Sequence, residues 1–570
     1  MRKQDRSRRA RCCAIHWART GATLLLIFLY LGVGTGCSRR KAREIDPIEI
    51  RVLSSFEKHR WLNEAVERFH KTKARTAAGA PVKVTVQFAS SRNFLQTALD
   101  TAGSGTVVDA VFPASSFQLN EANQQARLAG QSEPFPAMVS VARTPLVFVT
   151  WRQIANRMGW FESGLGWREL AALSADPQLY PTEELGAPFR LTFPHPSSTL
   201  LGGVTLLALA ARAEGRTVSP KPGELSSPPV SAMIWNFETS LSGHAPSPGR
   251  AFENFIEGGP YGISLTITYE HITRIGQGSP FYPDVVVLQP RDGTWVADHP
   301  FAPVERAVMD KTRVEAVGVF ARFLLSDEEQ KALEKAGLRP AKRSPRRQPP
   351  WEPPEGLDPA EPTLLDLAPT RALLSAASES WMQTRRPVRT VILLDTSSSM
   401  QAGAPSRLDL AKGIVDDLLE EIPPSDQVGF ATFSDRLVWR VPMGLRSVNA
   451  EPIRGILAGL QPSGSTTVFQ SIRDVIRQIG SPSSRRPEHV VVVVLSDGGD
   501  MISATTQASL CRELERFRKL GTPLRIMACS LNGPYGYGAL RRVAISSGGY
   551  CIEVNPENAQ AIAAELAAWF

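Results

Sequence analysis

Two stretches near the carboxyl end of this chain carry oxygen-bearing side chains where a sheet would present them. Arg389-Thr-Val-Ile-Leu-Leu394 reads as a strand buried on both faces. It runs directly into Asp395-Thr-Ser397-Ser-Ser399. Such a run has two readings. It is a turn in which Asp and Ser bond their own backbone, or it is a carboxylate and two hydroxyls at alternate positions facing one point above the sheet edge. Open α/β sheets place their ligand sites at the carboxyl ends of strands. A second apolar run, Val491-Val-Val-Val-Leu495, ends in Ser496-Asp497-Gly-Gly-Asp500, so two buried strands each end in an aspartate.

The elements around these runs alternate as an α/β sheet requires. Leu408, Ala411, Val415 and Leu418 form a helical stripe, and Asp426–Phe433 reads as a strand. Gly464-Ser465-Thr466 falls in a loop ahead of another helix.

The region 387–570 resembles the von Willebrand factor A (VWA) domain, a doubly wound, mostly parallel-sheet, Rossmann-like fold. Asp395-x-Ser397-x-Ser399, Thr466 and Asp497 match the five protein positions of that family's metal-ion-dependent adhesion site (MIDAS). Gly464-Ser-Thr466 stands where Gly-Gly-Thr is common. The resemblance implies a divalent cation held by three hydroxyls and two carboxylates. Hard oxygen donors suit Mg²⁺ first, or Mn²⁺ or Ca²⁺, and not a thiolate zinc site. Neutral hydroxyls close in leave the ion strongly Lewis acidic, and an open position then favours a protein partner's acidic group. No general base accompanies the set, so the implied chemistry is recognition, not hydrolysis.

The region 48–340 has its own α/β pattern. Ile48-Glu-Ile-Arg-Val-Leu53 and Val82–Phe88 alternate with period two, and Trp61, Leu62, Ala65, Val66 and Phe69 share a helical face between them. This region resembles a bilobed, periplasmic-type extracellular solute-binding protein. The likeness rests on Ile48–Ser55, Asp109–Ser116, Thr144–Val149, Pro194–Thr199, Thr268–Glu270, Asp298–Phe301 and Gly337–Pro340. It implies two lobes closing over a small-molecule solute, with strand-end loops lining the cleft. Ser54, Ser55, Ser115, Ser116, Ser197, Ser198 and Glu270 are the cleft candidates; Tyr269 and Glu270 either reach the cleft or belong to the hinge. Small hydroxyls at helix starts suit oxyanions or sugars; taken singly, each serine also reads as a helix cap.

Residues 1–36 hold seven cationic side chains against Asp5, so they carry +6 of the net charge of +8. With the remainder at +2, the composition gives no basic face of the kind nucleic acid requires. An uncharged run, Gly21–Gly34, is shorter than the roughly 20 apolar residues of a membrane span. It suits a secretory signal. Gly34-Thr-Gly-Cys37-Ser38 resembles a bacterial lipobox, which implies lipidation of Cys37 and, with Ser38 following, sorting to the outer membrane. A basic tether covers 37–47.

Eight prolines between Pro340 and Pro362 predict an extended linker over 341–386. Three cysteines lie beyond Cys37, namely Cys511, Cys529 and Cys551. Cys529 and Cys551 form one bridge or stay as buried thiols. No His-x-x-x-His pair, Gly-x-Ser-x-Gly elbow or Gly-Lys-Ser/Thr phosphate loop is present, and the chain is not expected to be an enzyme. The expectation is an exported, lipid-anchored recognition protein of the cell envelope. The alternative is a solute-binding accessory of a membrane transporter.

Overall fold

The computed structural model describes residues 45–89, 94–99, 107–276, 279–280, 282–305, 310–343, 355–479, 489–520, 524–531 and 536–569. The chain divides into Met1–Asp46 and Pro47–Phe570. The expected signal segment 1–36 and Cys37 lie outside the described residues.

Three sheets build the larger body. The first has the strand order Val82–Ala89, Ile48–Ser55, Ala110–Phe112, Pro300–Pro303, Val139–Ser140. Its alternating strand Ile48–Ser55 buries Ile50 and Val52 against Trp61, Leu62, Ala65 and Phe69 of the His59–Thr72 helix, the face the sequence predicts. The second sheet follows Val296–Ala297, Ala142–Trp151, Leu265–Tyr269, Leu191–Pro194, Leu241–Ala245. All ten residues of Ala142–Trp151 are buried, as a central crossing strand must be. The chain passes between these two sheets at 140–142 and again at 297–300, which makes a bilobed α/β unit.

The third sheet runs Leu437–Leu445, Gln427–Phe433, Val388–Asp395, His489–Ser496, Leu524–Leu531, Cys551–Val554. Only Leu437–Leu445 pairs antiparallel. Its central strands pack on both faces: Ile392 and Leu394 join one core, Val391 and Leu393 the other. Cys529 pairs with Ile552, and Cys551 with Ala528, in adjacent parallel strands. Their side chains enter opposite cores. The one-residue offset therefore separates the thiols by a sheet, and both are buried free cysteines.

Of the segment 341–386, the described residues 355–386 pack on the second lobe instead of forming an extended linker. Val218 and Thr294 bridge to Asp366 and Leu364. Arg371–Thr384 is then a helix, capped by the Thr370 hydroxyl accepting from Leu373 N. Leu373, Ala377 and Trp381, four residues apart, drive into the second lobe's core. Hydrophobic spacing past the last proline outweighs the proline signal.

The third sheet's unit docks on the edge strand Leu241–Ala245. Arg525 Nε donates to Ser242 O at 2.9 Å, Arg541 pairs with Glu257 at 2.7 Å, and Arg386 donates to Thr239 O. Gly243 has φ +127°, and a Cβ there would meet the Trp569 ring at 3.3 Å. Covering an edge strand also removes a surface that would otherwise pair with other chains.

Candidate functional site

The carboxyl-terminal site is assembled by strand register. Leu394 pairs with Leu495 in adjacent parallel strands. Asp395 therefore lies beside Ser496, and Asp497 follows one step on. The Ser496 hydroxyl donates to Asp395 Oδ2 at 2.6 Å, and Ser397 N donates to Oδ1 at 2.8 Å. The Ser397 and Ser399 hydroxyls are 3.1 Å apart. The turn reading and the ligand reading are thus compatible, because one Asx turn holds both hydroxyls on the carboxylate's side.

Thr466 arrives on a loop fastened to the same turn. Ser398 N and Oγ donate to Gly464 O at 3.1 and 3.0 Å, and Ser463 N donates to Thr396 O at 2.7 Å. Gly464 has φ +83°, and a Cβ there would come within 2.7 Å of Asp435 Oδ2. Thr466 O accepts from Met501 N and Ile502 N. Its hydroxyl bonds no other described residue.

Burial pushes the Asp395 carboxyl up to about 6, and Asp497 adds to the rise, against hydrogen bonds from Ser496 and Ser397 that lower it. A buried carboxylate with hydroxyls around it and no cation bonded to it among the described residues fits a hard divalent ion. Asp497 differs, for Arg407 Nη1 pairs with its Oδ2 at 2.7 Å and also donates to Ser399 O at 3.2 Å. Asp497 Oδ1 accepts from Gly499 N at 3.1 Å. Sequence reasoning missed Arg407, which opens the Arg407–Glu421 helix with nothing in its surroundings to mark it. Ser496 was within reach, since it directly precedes Asp497.

The serines proposed for the solute cleft separate into two groups. Ser54 Oγ bonds Phe112 O at 3.3 Å. The Ser55 hydroxyl donates to Glu57 Oε1 at 2.5 Å and accepts from Lys58 Nζ at 2.5 Å. Ser115 caps the Ser116–Leu128 helix, and Ser116 N donates to Asp298 Oδ1 at 2.8 Å. These four share the junction of the lobes. Ser197 and Ser198 instead line a cavity of about 250 Å³ with Trp381, Arg385, Glu421 and Ala567, where the second lobe meets the third sheet's unit. Ser197 bonds Ser378 of the connecting helix. Glu270 is taken up by Arg339, with Nη2 and Nε at 2.8 and 3.0 Å from Oε2 and both residues fully buried. This buried ion pair ties Glu270, which follows Leu265–Tyr269, to Arg339 of the short strand that pairs with Ala142–Trp151.

With this geometry in view, family comparisons agree with the architecture. Residues 50–339 match the bacterial extracellular solute-binding protein model, and residues 390–499 match the von Willebrand factor type A domain model. The first match spans half of the chain. The protein belongs to the bacterial extracellular solute-binding protein family and carries a VWA domain behind that module. Both are binding domains, typically without catalytic activity. Similar structures include the Bordetella ferric binding protein, at 12% identity over 59% of this chain and 98% of that one, with a TM-score of 0.37. Another is an aerotolerance-related membrane protein from Bacteroides fragilis, at 18% identity over 31% of this chain and 98% of that one, with a TM-score of 0.25. An uncharacterized Mycobacterium tuberculosis protein is 28% identical over 141 residues, 25% of this chain. The chain spans 20% of the length of the curated relatives it matches. Among the described residues, no helix is long and apolar enough to cross a membrane.

Proposed function

We propose that this is an exported, lipid-anchored recognition protein whose VWA domain binds a protein partner through a divalent cation. Asp395, Ser397, Ser399, Thr466 and Asp497 would hold the ion, Mg²⁺ first. The observation that carries the reading is the meeting of three separated segments at one end of the sheet: the Asp395 turn, the Gly464–Thr466 loop and the Ser496–Asp497 strand end. When bound, the ion supplies Lewis acidity for an acidic side chain of the partner. The chain's own residues orient the donors. Ser496 and the Ser397 amide fix the Asp395 carboxylate, and the Ser398–Gly464 bonds fix the distance between the two loops. Arg407 holds Asp497 from the rim, where it competes with any cation for that carboxylate.

The amino-terminal lobes would close over a small solute, and Cys37 would tie the chain to the outer membrane, facing the periplasm or the surface. The test is capture of partners from solubilised envelopes on the immobilised full chain, with and without EDTA. A partner lost both in EDTA and on Asp395→Ala supports the reading. A partner retained in both contradicts it, and a permease retained in both makes the protein a transport accessory.

A further inference from the structure

The junction of the lobes gathers polar side chains from separate stretches of chain, and two of their nitrogens bond no other described residue. Lys58 Nζ is fully buried, 3.0 Å from Glu57 Oε1, 3.3 Å from Pro113 O and 3.4 Å from His299 Nδ1. An ammonium group only donates. His299 Nδ1 therefore accepts, and its hydrogen sits on Nε2. His271 Nδ1 lies 2.9 Å from the Thr144 hydroxyl, and the two imidazole rings meet edge to face at 5.8 Å. His271 and His299 are 5% and 0% exposed, yet neither Nε2 has a hydrogen-bond partner among the described residues. A buried polar nitrogen left unpaired, donor or acceptor, costs about 1–3 kcal/mol, so two on adjacent rings call for an explanation.

The backbone adds an independent sign. His299 has φ +31°, a region that non-glycine residues rarely occupy. It lies between Val296–Ala297 of the second lobe's sheet and Pro300–Pro303 of the first. Strained residues of this kind cluster where ligands are clamped. Beside it, Asp298 and Glu57 are partly open to solvent, and Tyr269 stacks on His271 at 6.0 Å.

The charges select the ligand. Lys58 is balanced by Glu57. Asp298 has no cation paired to it among the described residues. The cluster is therefore net negative with neutral imidazoles, which opposes an oxyanion. A hydroxyl group accepts from a histidine N–H and donates to a carboxylate at once. We propose that this junction is the receptor for a neutral polyhydroxylated solute, a sugar or polyol, held by His271 and His299 on one side and by Glu57 and Asp298 on the other.

The proposal rests on the reading of the amino-terminal unit as a closing solute-binding module. The test is titration of the full chain with glucose and maltose as neutral probes and with sulfate and acetate as anionic ones. Calorimetry reads binding, and X-ray scattering reads lobe closure. The proposal expects saturable sugar binding, weakened about tenfold or more by His299→Phe and by His271→Phe. It expects Glu57→Gln with Asp298→Asn, which keeps shape while shifting the charge by two, to weaken sugar and admit sulfate. Binding of sulfate or acetate but no sugar overturns the proposal and leaves the solute-binding reading standing. No binding of any probe overturns the proposal and removes support for that reading as well. Sugar binding unchanged in the charge variant and in both folded histidine variants also overturns it.

Discussion

The side chains that decide this molecule's behaviour are buried charges and their partners. Glu238, at the contact of the second lobe with the VWA unit, accepts from Trp381 Nε1 at 2.8 Å, and burial pushes its carboxyl up to about 7. A carboxyl raised above its unfolded value stabilises fully below about 4.5, and that contribution is lost as pH rises through about 7. Glu238→Gln keeps the acceptor for Trp381 and removes the charge. Its stability relative to the parent, measured by urea unfolding, is expected to rise by about 3 kcal/mol between pH 4 and pH 8. A flat difference would contradict the assignment. At the rim of the VWA site, Arg407→Ala frees Asp497 and removes one positive charge. Mg²⁺ binding, read by calorimetry, should then tighten about fivefold, the worth of one partly exposed charge pair. Asp395 and Asp497 were legible in the sequence because each ends an apolar strand. Arg407, Lys58 and His299 were not, since a cation at a helix start, a buried cation or a strained φ leaves no periodic trace.

At the scale of elements, the Arg371–Thr384 helix is the piece the sequence misled on. Prolines between 340 and 362 pointed to a linker, yet Leu373, Ala377 and Trp381 were already spaced for one helical face. Trp381 is 1% exposed and touches His195 and His244 at 5.1 Å each. Trp381→Ala should cost about 3–5 kcal/mol in chemical unfolding, as a deep cavity does. A loss below about 1 kcal/mol would mean that the helix is only draped on the lobe. The alternating and fully apolar strands were readable because period and burial are local properties. The division of the cleft serines was not, because it depends on which elements pack over each loop, and Ser197 and Ser198 lie under this unforeseen helix.

For the whole molecule, the VWA unit is fastened to the second lobe by Arg525, Arg386, Arg541 and Trp569. Arg525 is buried, and burial beside Arg190 and Arg518 lowers its pKa to about 9. Arg525→Ala leaves the Ser242 carbonyl without its donor. Calorimetry of the parent should show one unfolding transition for the joined lobe and VWA unit, and Arg525→Ala should split it into two. Two transitions already in the parent would contradict a cooperative contact. The α/β architecture of both halves was readable from strand and helix alternation, whereas their docking depends on single arginines whose partners, two backbone carbonyls and the Glu257 carboxylate, lie far away in sequence. The central claim is the oxygen-ligand cation site, and its most direct test is calorimetric titration of the metal-free full chain with Mg²⁺. The account predicts saturable binding of one ion, abolished by Asp395→Ala with the fold retained by circular dichroism. Equal binding in the parent and the variant, or none in the parent, would contradict it.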